Sequence, residues 1–311
     1  MNRTFKDYAL LTLKGMGMGA ADVVPGVSGG TIAFITGIYE ELINSIKSIN
    51  LTALKLLFSF KLNEFWKAIN GTFLISVFIG IGISVFSLAK GLEYLLHHYP
   101  ILVWSFFFGL IVASAIYVAR SIKSWNAGTV ISGIAGIAIA YAITVLSPAE
   151  ANTAYWFVFV SGMIAICAMI LPGISGSFIL VLLGMYKFIL GAVGDLNLVV
   201  IGIFLAGAAI GIIAFSNVLS WLLRKYHNLT IAMLAGFMVG SLNKVWPWKE
   251  VTETIIDRHG ELKPITERNI LPGTYEQITG HEAWLLGAIA LAVFGFVLIF
   301  VVEGIGKKLK R

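Results

Sequence analysis

The sequence predicts an all-α polytopic membrane protein. It is built as an inverted repeat, each half one re-entrant helical hairpin plus three transmembrane helices. Three observations carry this. The 311 residues are 58% hydrophobic and 12% charged, with a mean hydropathy of +0.90, whereas soluble domains are about 45–50% apolar and about 25% charged. The apolar residues fall in long continuous runs, which argues helices rather than a barrel of alternating strands. A Pro-Gly-x-Ser-Gly motif occurs twice, each time between two apolar runs.

The runs are taken in order. Residues 8–22 and 31–46 are short against the about 17–25 residues a crossing needs. They are joined by Val24-Pro25-Gly26-Val27-Ser28-Gly29-Gly30, so 8–46 is read as a re-entrant hairpin. Residues 49–69 carry Lys55, Lys61 and Lys67 and are read as an amphipathic inner-surface stretch. Helices are expected at 71–92, 101–119 and 128–147. A second hairpin, 154–193, turns at Leu171-Pro172-Gly173-Ile174-Ser175-Gly176. Helices follow at 198–222, 229–246 and 283–303, and the polar 247–282 between the last two is read as an outer loop. The first apolar stretch runs into Gly15–Gly19 and Pro25, so no cleavable leader is expected.

Charge sets the sidedness. With the N-terminus inside, the inner face collects 15 of the 22 Lys and Arg and 6 of the 16 acids, a charge of +9 against −3 outside. The reverse orientation breaks the positive-inside rule. Both termini are therefore expected in the cytoplasm. The net charge of +6 is read as loop anchoring, not nucleic-acid binding.

The halves align. At an offset of 147, Pro25-Gly26-Val27-Ser28-Gly29 matches Pro172-Gly173-Ile174-Ser175-Gly176, Gly37 matches Gly184 and Tyr39 matches Tyr186. At an offset of 127, Gly80 matches Gly207, Tyr99 matches Tyr226, Gly109 matches Gly236 and Ser114 matches Ser241. The first repeat is 1–147 and the second 148–311. Three crossings per half is odd, so the halves are inverted, an arrangement typical of transporters.

The loops suggest chemistry. Proline starts a helix well, glycine permits close approach, and serine caps a helix and offers a hydroxyl. Free N–H groups at a helix start favour an anion, phosphate above all, by about 0.3–2 kcal/mol per helix end. The expected phosphate-binding set is Pro25, Gly26, Ser28, Gly29, Gly30 and Thr31 with Pro172, Gly173, Ser175, Gly176 and Ser177. The serines serve equally as caps of their own helices. Asp22 is an acid at membrane depth and has two readings, a proton or cation site or an orienter of the loop backbone. Arg120 and Lys244 are read either as interface anchors or as guides for an anionic headgroup. Trp246 and Trp248 suit an interface belt. The five histidines have no metal-ligand spacing and no Walker A motif is present, so neither metal nor cofactor is expected, and no enzyme.

The stretch Lys14-Gly15-Met16-Gly17-Met18-Gly19-Ala20-Ala21-Asp22-Val23-Val24-Pro25-Gly26-Val27-Ser28-Gly29-Gly30-Thr31 resembles the first signature of the bacterial polyprenyl-phosphate transporter family, formerly a membrane domain of unknown function. Leu171–Ser177 and Gly236–Trp248 resemble its later signatures. The resemblance implies translocation of undecaprenyl phosphate from the outer to the inner leaflet of the bacterial plasma membrane, recycling the lipid carrier for envelope polymers. A phosphate monoester carries about −1.5 to −2 charges, and inward movement costs roughly 3.5–4.6 kcal/mol at about 100 mV. Coupling to a proton or sodium ion, with Asp22 the first candidate, is one way to meet that cost. An anion channel or small-anion transporter is the competing reading of the paired loops.

Overall fold

The structure, a computed structural model, describes residues 3–24, 27–256 and 262–309. It is mostly helical, as the composition requires. The first half opens with α1 (Phe5–Val23), α2 (Gly29–Ile35) and α3 (Tyr39–Lys47). Asp7 caps α1 by accepting the Thr4 N–H at 2.7 Å. α1 ends where Val24 turns extended (φ −88°, ψ 118°), because a residue before proline is pushed out of the helical region. The second half repeats this with α9 (Tyr155–Ile170), α10 (Gly176–Leu182) and α11 (Tyr186–Gly194). Leu171, ahead of Pro172, is extended in the same way (φ −71°, ψ 126°).

One expectation is corrected here. The runs 31–46 and 174–193 are not single helices. Each is broken at a glycine in the left-handed region, Gly37 and Gly184, both at φ 69°. At each break the next residue's N–H reaches back five positions, Ile38 to the Ala33 carbonyl at 2.9 Å and Met185 to the Leu180 carbonyl at 2.8 Å. This is the Schellman stop, which glycine adopts without a Cβ penalty. α10 and α11 meet at a bend of 111°.

The remaining helices are α4 (Leu51–Phe58), α5 (Leu62–Ala68), α6 (Gly71–His98), α7 (Pro100–Ala119), α8 (Ala127–Val145), α12 (Leu198–Lys225), α13 (His227–Ser241), α14 (Pro272–Thr279) and α15 (Leu285–Leu309). The stretch expected on the inner surface forms α4 and α5. These expose Leu51, Phe58, Phe60, Leu62 and Trp66 beside their lysines, a mix suited to a headgroup region. Among the described residues four helices are long and apolar enough to span a membrane: α6, α7, α8 and α12. The count rises to five if the bent α10–α11 pair is one span. α13 has only 15 residues, about 22 Å, shorter than the expected 229–246 run. It is largely enclosed. Ile231, Leu234 and Met238 are at most 2% exposed, packed between α7 and α8.

The helix pairs repeat as well. α1 packs along α6 as α9 packs along α12, and α7 packs along α15 as α13 packs along α8. The contact points correspond residue by residue. A Cβ on Gly15 would strike the Val77 carbonyl and one on Gly80 the Thr12 carbonyl. In the second half Gly162 meets Phe204 and Gly207 meets Phe159 in the same manner. Likewise Gly109 abuts Ala292 and Gly295 abuts Phe106, while Gly236 abuts Gly133 and Gly136 abuts Met233. The hairpins are seated differently, however. α2 and α3 pack against α7, α9 and α12, whereas α10 and α11 lie mainly on α9 and α12.

The expected outer loop is an ordered structure. β1 (Lys249–Ile256) pairs antiparallel with β2 (Leu262–Asn269), with Lys249 opposite Asn269. α14 follows. The all-α expectation therefore holds for the membrane body and fails for this segment, whose alternating Val, Thr and Ile residues suit a strand. Of the two tryptophans read as an interface belt, Trp246 is half-buried and Trp248 buried. Their indole N–H groups donate to the Ile270 and Ala283 carbonyls, each at 2.9 Å, and Trp248 is buried with Ile101, Ala283 and Ala288. Their packing fastens the segment to the start of α7.

Candidate functional site

Both glycine-rich loops arrive at the same place. The breaks after α1 and α9 point toward each other, and hydrogen bonds cross between them. Ser28 Oγ donates to the Met169 carbonyl at 3.0 Å. Thr31 Oγ1 accepts the Gly173 N–H at 3.1 Å. Tyr39 Oη donates to the Ile170 carbonyl at 3.2 Å. Val24, Val27 and Thr31 are fully enclosed and Ser28 nearly so. Enclosed backbone that is not helical needs partners from the surrounding protein, and here each loop supplies the other's.

Glycine is needed where the loops close on their neighbours. A Cβ on Gly30 would strike the Ile170 carbonyl. Gly173, at φ 84°, rests on α13, where a Cβ would fall 3.0 Å from the Met238 Cα and 2.9 Å from the Phe237 carbonyl oxygen. A Cβ on Gly176 would fall 2.6 Å from the Ala165 carbonyl oxygen.

The two loops are not chemically equal. Asp22 Oδ1 accepts the Gly29 N–H at 2.7 Å, holding the first turn of α2. Its counterpart Met169 has no such side chain and contributes its carbonyl to Ser28 instead. Ser28 caps α2 through the Gly30 N–H at 3.1 Å. Ser175 does not cap α10; it shares a hydrogen bond with Ser177 at 2.8 Å. Lys14, about two and a half turns before the end of α1, donates to the Thr36 carbonyl at 2.7 Å, at the end of α2. Of the expected phosphate-binding set, Pro25 and Gly26 lie outside the described residues. Ser28, Gly29, Gly30 and Thr31 come together with Gly173 and the carbonyls of Met169 and Ile170. Ser175, Gly176 and Ser177 stand at the start of α10.

Arg120 and Lys244 are remote from this junction in the chain and are held differently. Arg120 ends α7, exposed, with its guanidinium 5.1 Å from the Phe300 ring centre. Lys244 is not free: its ammonium is 3.3 Å from Glu267 Oε2 and 4.9 Å from the centre of the Phe178 ring in α10.

Sequence reasoning missed that cluster's other members. Lys249 Nζ lies 3.2 Å from the same Glu267 Oε2, 2.8 Å from the Lys244 carbonyl and 4.3 Å from the Trp104 ring centre. Its side chain is 8% exposed. Burial pushes the Lys249 ammonium down to about 8, with Glu267 pulling the other way. Burial also raises the Glu267 carboxyl, but the two ammonium charges outweigh it and hold the group below the usual carboxylate range. No motif marks this cluster, because a β-hairpin brings its members together. A second overlooked feature lies beside α3 and the end of α12. Glu40, Asn44, Ser220, Leu223, Arg224 and His227 line a cavity of about 140 Å³. Nearby, Arg3 forms a two-pronged ion pair with Glu41, at 2.6 and 2.7 Å, and Asn70 donates to the same carboxylate at 2.9 Å.

A family model described as VCA0040-like, undecaprenyl phosphate translocase-like, matches residues 18–263. A polyprenyl-phosphate transporter of Vibrio cholerae serotype O1 is 47% identical over 302 residues, covering 97% of this chain and 98% of that protein. A polyprenyl-phosphate transporter of Staphylococcus aureus is 36% identical over 253 residues, covering 76% of this chain and 85% of that protein. No solved structure matches. The match takes in both loops, α1 from Met18, and every helix through α13. The chain belongs to the undecaprenyl phosphate translocase-like family, whose named members here are transporters and not enzymes.

Proposed function

We propose that this protein carries a polyprenyl phosphate, undecaprenyl phosphate in the first instance, from the outer to the inner leaflet of the bacterial plasma membrane. The observation that carries the reading is the junction of the two Pro-Gly-x-Ser-Gly loops, one from each half, hydrogen-bonded to each other in the enclosed centre. The halves are related as an inverted repeat, each loop being the turn of a re-entrant hairpin, with both termini in the cytoplasm. The matched glycine contacts of α1–α6 with α9–α12 and of α7–α15 with α13–α8 support the repeat. The charge of +9 against −3 supports the sidedness. The headgroup crosses at the junction, met by Ser28, Thr31, Ser175 and Ser177 once the loops separate, while the prenyl tail stays in lipid. Arg120 and Lys244 guide the headgroup toward it.

Inward movement against about 100 mV costs roughly 3.5–4.6 kcal/mol for a phosphate monoester. Cotransport of a proton or sodium ion offsets that cost, and Asp22 is the group in the junction able to take one. The test is purified protein in liposomes with labelled undecaprenyl phosphate in the outer leaflet. Protein-dependent inward movement that responds to an imposed proton or sodium gradient is expected. Chloride or phosphate flux without lipid movement would replace this reading with that of an anion channel.

A further inference from the structure

Beside α10, Lys249 is buried and Lys244 partly so, and together they carry more charge than their one acidic partner balances. One carboxylate oxygen, Glu267 Oε2, serves two ammonium groups, Lys244 at 3.3 Å and Lys249 at 3.2 Å. The three groups therefore sum to one positive charge. Lys249 is enclosed under the face of Trp104, and Lys244 stands over Phe178, the second residue after the Ser175–Gly176 pair of the second loop. Burying a charge is expensive unless it is paired, and hydrophobic residues of like volume would fasten the β-hairpin with less cost. A structural clamp needs one lysine per carboxylate. Two lysines around one oxygen are the donor set for a group with more charge and more oxygens than a carboxylate.

We infer that Lys244 and Lys249 form a receiving site for a phosphate monoester, and that Glu267 occupies it in the empty protein as a displaceable stand-in. A phosphate monoester carries about −1.5 to −2 charges and three acceptor oxygens. It can therefore satisfy both ammonium groups, where Glu267 leaves one positive charge over. Charge-assisted bonds of this kind are about twice as strong as neutral ones. Glu267 sits on β2, and its displacement loosens the hairpin from Lys244 while Asn269 still donates to the Asn243 carbonyl at 2.7 Å. The inference rests on the lipid-carrier reading only for the source of the phosphate.

The experiment measures binding to the full-length protein in detergent, with tryptophan fluorescence as the signal, since Trp104 lies against Lys249. The probes are farnesyl phosphate, inorganic phosphate and farnesol. Lys249→Met and Lys244→Met should each weaken farnesyl phosphate binding about tenfold or more. Lys249→Arg should restore most of it. Glu267→Gln should tighten binding several-fold, because it removes the competitor and leaves both cations. A structural clamp predicts the reverse for Glu267→Gln, weaker binding and a less stable protein, and that result would overturn the inference. Equal responses to inorganic phosphate would support the site and assign it to free phosphate. Farnesyl phosphate binding untouched by all four variants would refute the site while leaving lipid transport standing. Should the wild type bind neither phosphate probe, the site is refuted, and the liposome assay decides transport separately. If Lys249→Met fails to fold, Lys244→Met and Glu267→Gln carry the comparison.

Discussion

Thr31→Val should loosen the junction of the two loops by an amount that can be worked out in advance. Valine has nearly the shape of threonine, so packing at this fully enclosed position is kept. What is lost is the oxygen that accepts the Gly173 N–H at 3.1 Å. That N–H lies in an enclosed part of the protein, on the backbone of a loop resting on α13, where water does not replace the partner. An orphaned buried donor costs about 1–3 kcal/mol, more than the about 0.5–1.5 kcal/mol of an ordinary exchanged hydrogen bond. Thr31→Ser keeps the oxygen and loses one methyl, worth about 0.8 kcal/mol. The valine variant should therefore be the less stable of the two, although it keeps more apolar surface. The assay is thermal unfolding of both variants in the same detergent, followed by lipid movement in liposomes. The melting point of Thr31→Val should fall a few degrees below that of wild type, with Thr31→Ser between them. If Thr31→Val matched or exceeded Thr31→Ser in stability, the Gly173 amide would have another partner, and the junction would not be held as described.

The helix crossings give a paired control. Gly80→Ala and Gly207→Ala should each destabilise by about 1–3 kcal/mol, since the added methyl meets the carbonyls of Thr12 and Phe159. Gly82→Ala, on the same helix with nothing within 4 Å, should be neutral or stabilising by about 0.5–1 kcal/mol; thermal melts separate the cases. Asp22→Asn retains an acceptor for the Gly29 N–H but not the charge. It should leave the fold intact and abolish the response of transport to proton and sodium gradients, and unchanged transport across pH and sodium would remove Asp22 as the coupling group. Phosphate-probe binding should fall as pH rises through about 8, where Lys249, facing Glu267 on β2 and Lys244 after α13, loses its proton. Stability moves the other way. The unfolded lysine holds its proton to about 10.5, so between about 8 and 10.5 unfolding takes up a proton and stability rises with pH. Melting and binding titrations from pH 7 to 10 should thus run in opposite directions.

Much of the membrane body was legible in the sequence because its signals are local. Apolar runs mark helices, and Pro25 and Pro172 mark where α1 and α9 stop. The matched glycines fall at the crossings, since only glycine lets helices approach to backbone distance. Gly37 and Gly184 were visible as matched positions. Their role as Schellman stops was not, because each lies inside a mainly apolar run with no cluster of turn residues beside it. The 247–282 segment misled for another reason. Its polarity implies exposure, but its strand character depends on pairing across a turn, which composition does not report. Lys249 and Glu267 are 18 positions apart, and Trp104 stands some 140 residues earlier in the chain. Only the hairpin and the two tryptophan hydrogen bonds bring them together, so no spacing rule finds them. Lys244 was visible as a lone cation near an expected membrane face, yet its charge is already committed to Glu267.

The departure from symmetry bears on direction. In the proposed inverted repeat the two hairpins are equivalent by symmetry, and exchanging which one is docked interchanges the two sides of the membrane. Here the hairpin of the first half is docked. Ser220 Oγ donates to Asn44 Oδ1 at 3.0 Å, and Lys47 reaches the same hydroxyl at 3.4 Å, so α3 closes on α12. The counterpart of that contact, α11 against α6, has no comparable packing among the described residues. Lys47, Arg224 and Lys225 belong to the face that the proposed orientation puts in the cytoplasm, and in that orientation the closed contact is the inner one and the unpacked one the outer. Phe178, on the less firmly seated hairpin, is also where Lys244 meets α10. The proposed receiving lysines thus stand beside the hairpin with fewer helix partners, on the side from which the lipid phosphate is proposed to come. Their occupation by phosphate in place of Glu267 would act on that hairpin directly, through the ring that Lys244 covers. This is the coupling that inward transport requires, headgroup capture outside tied to movement of the half that is not yet closed.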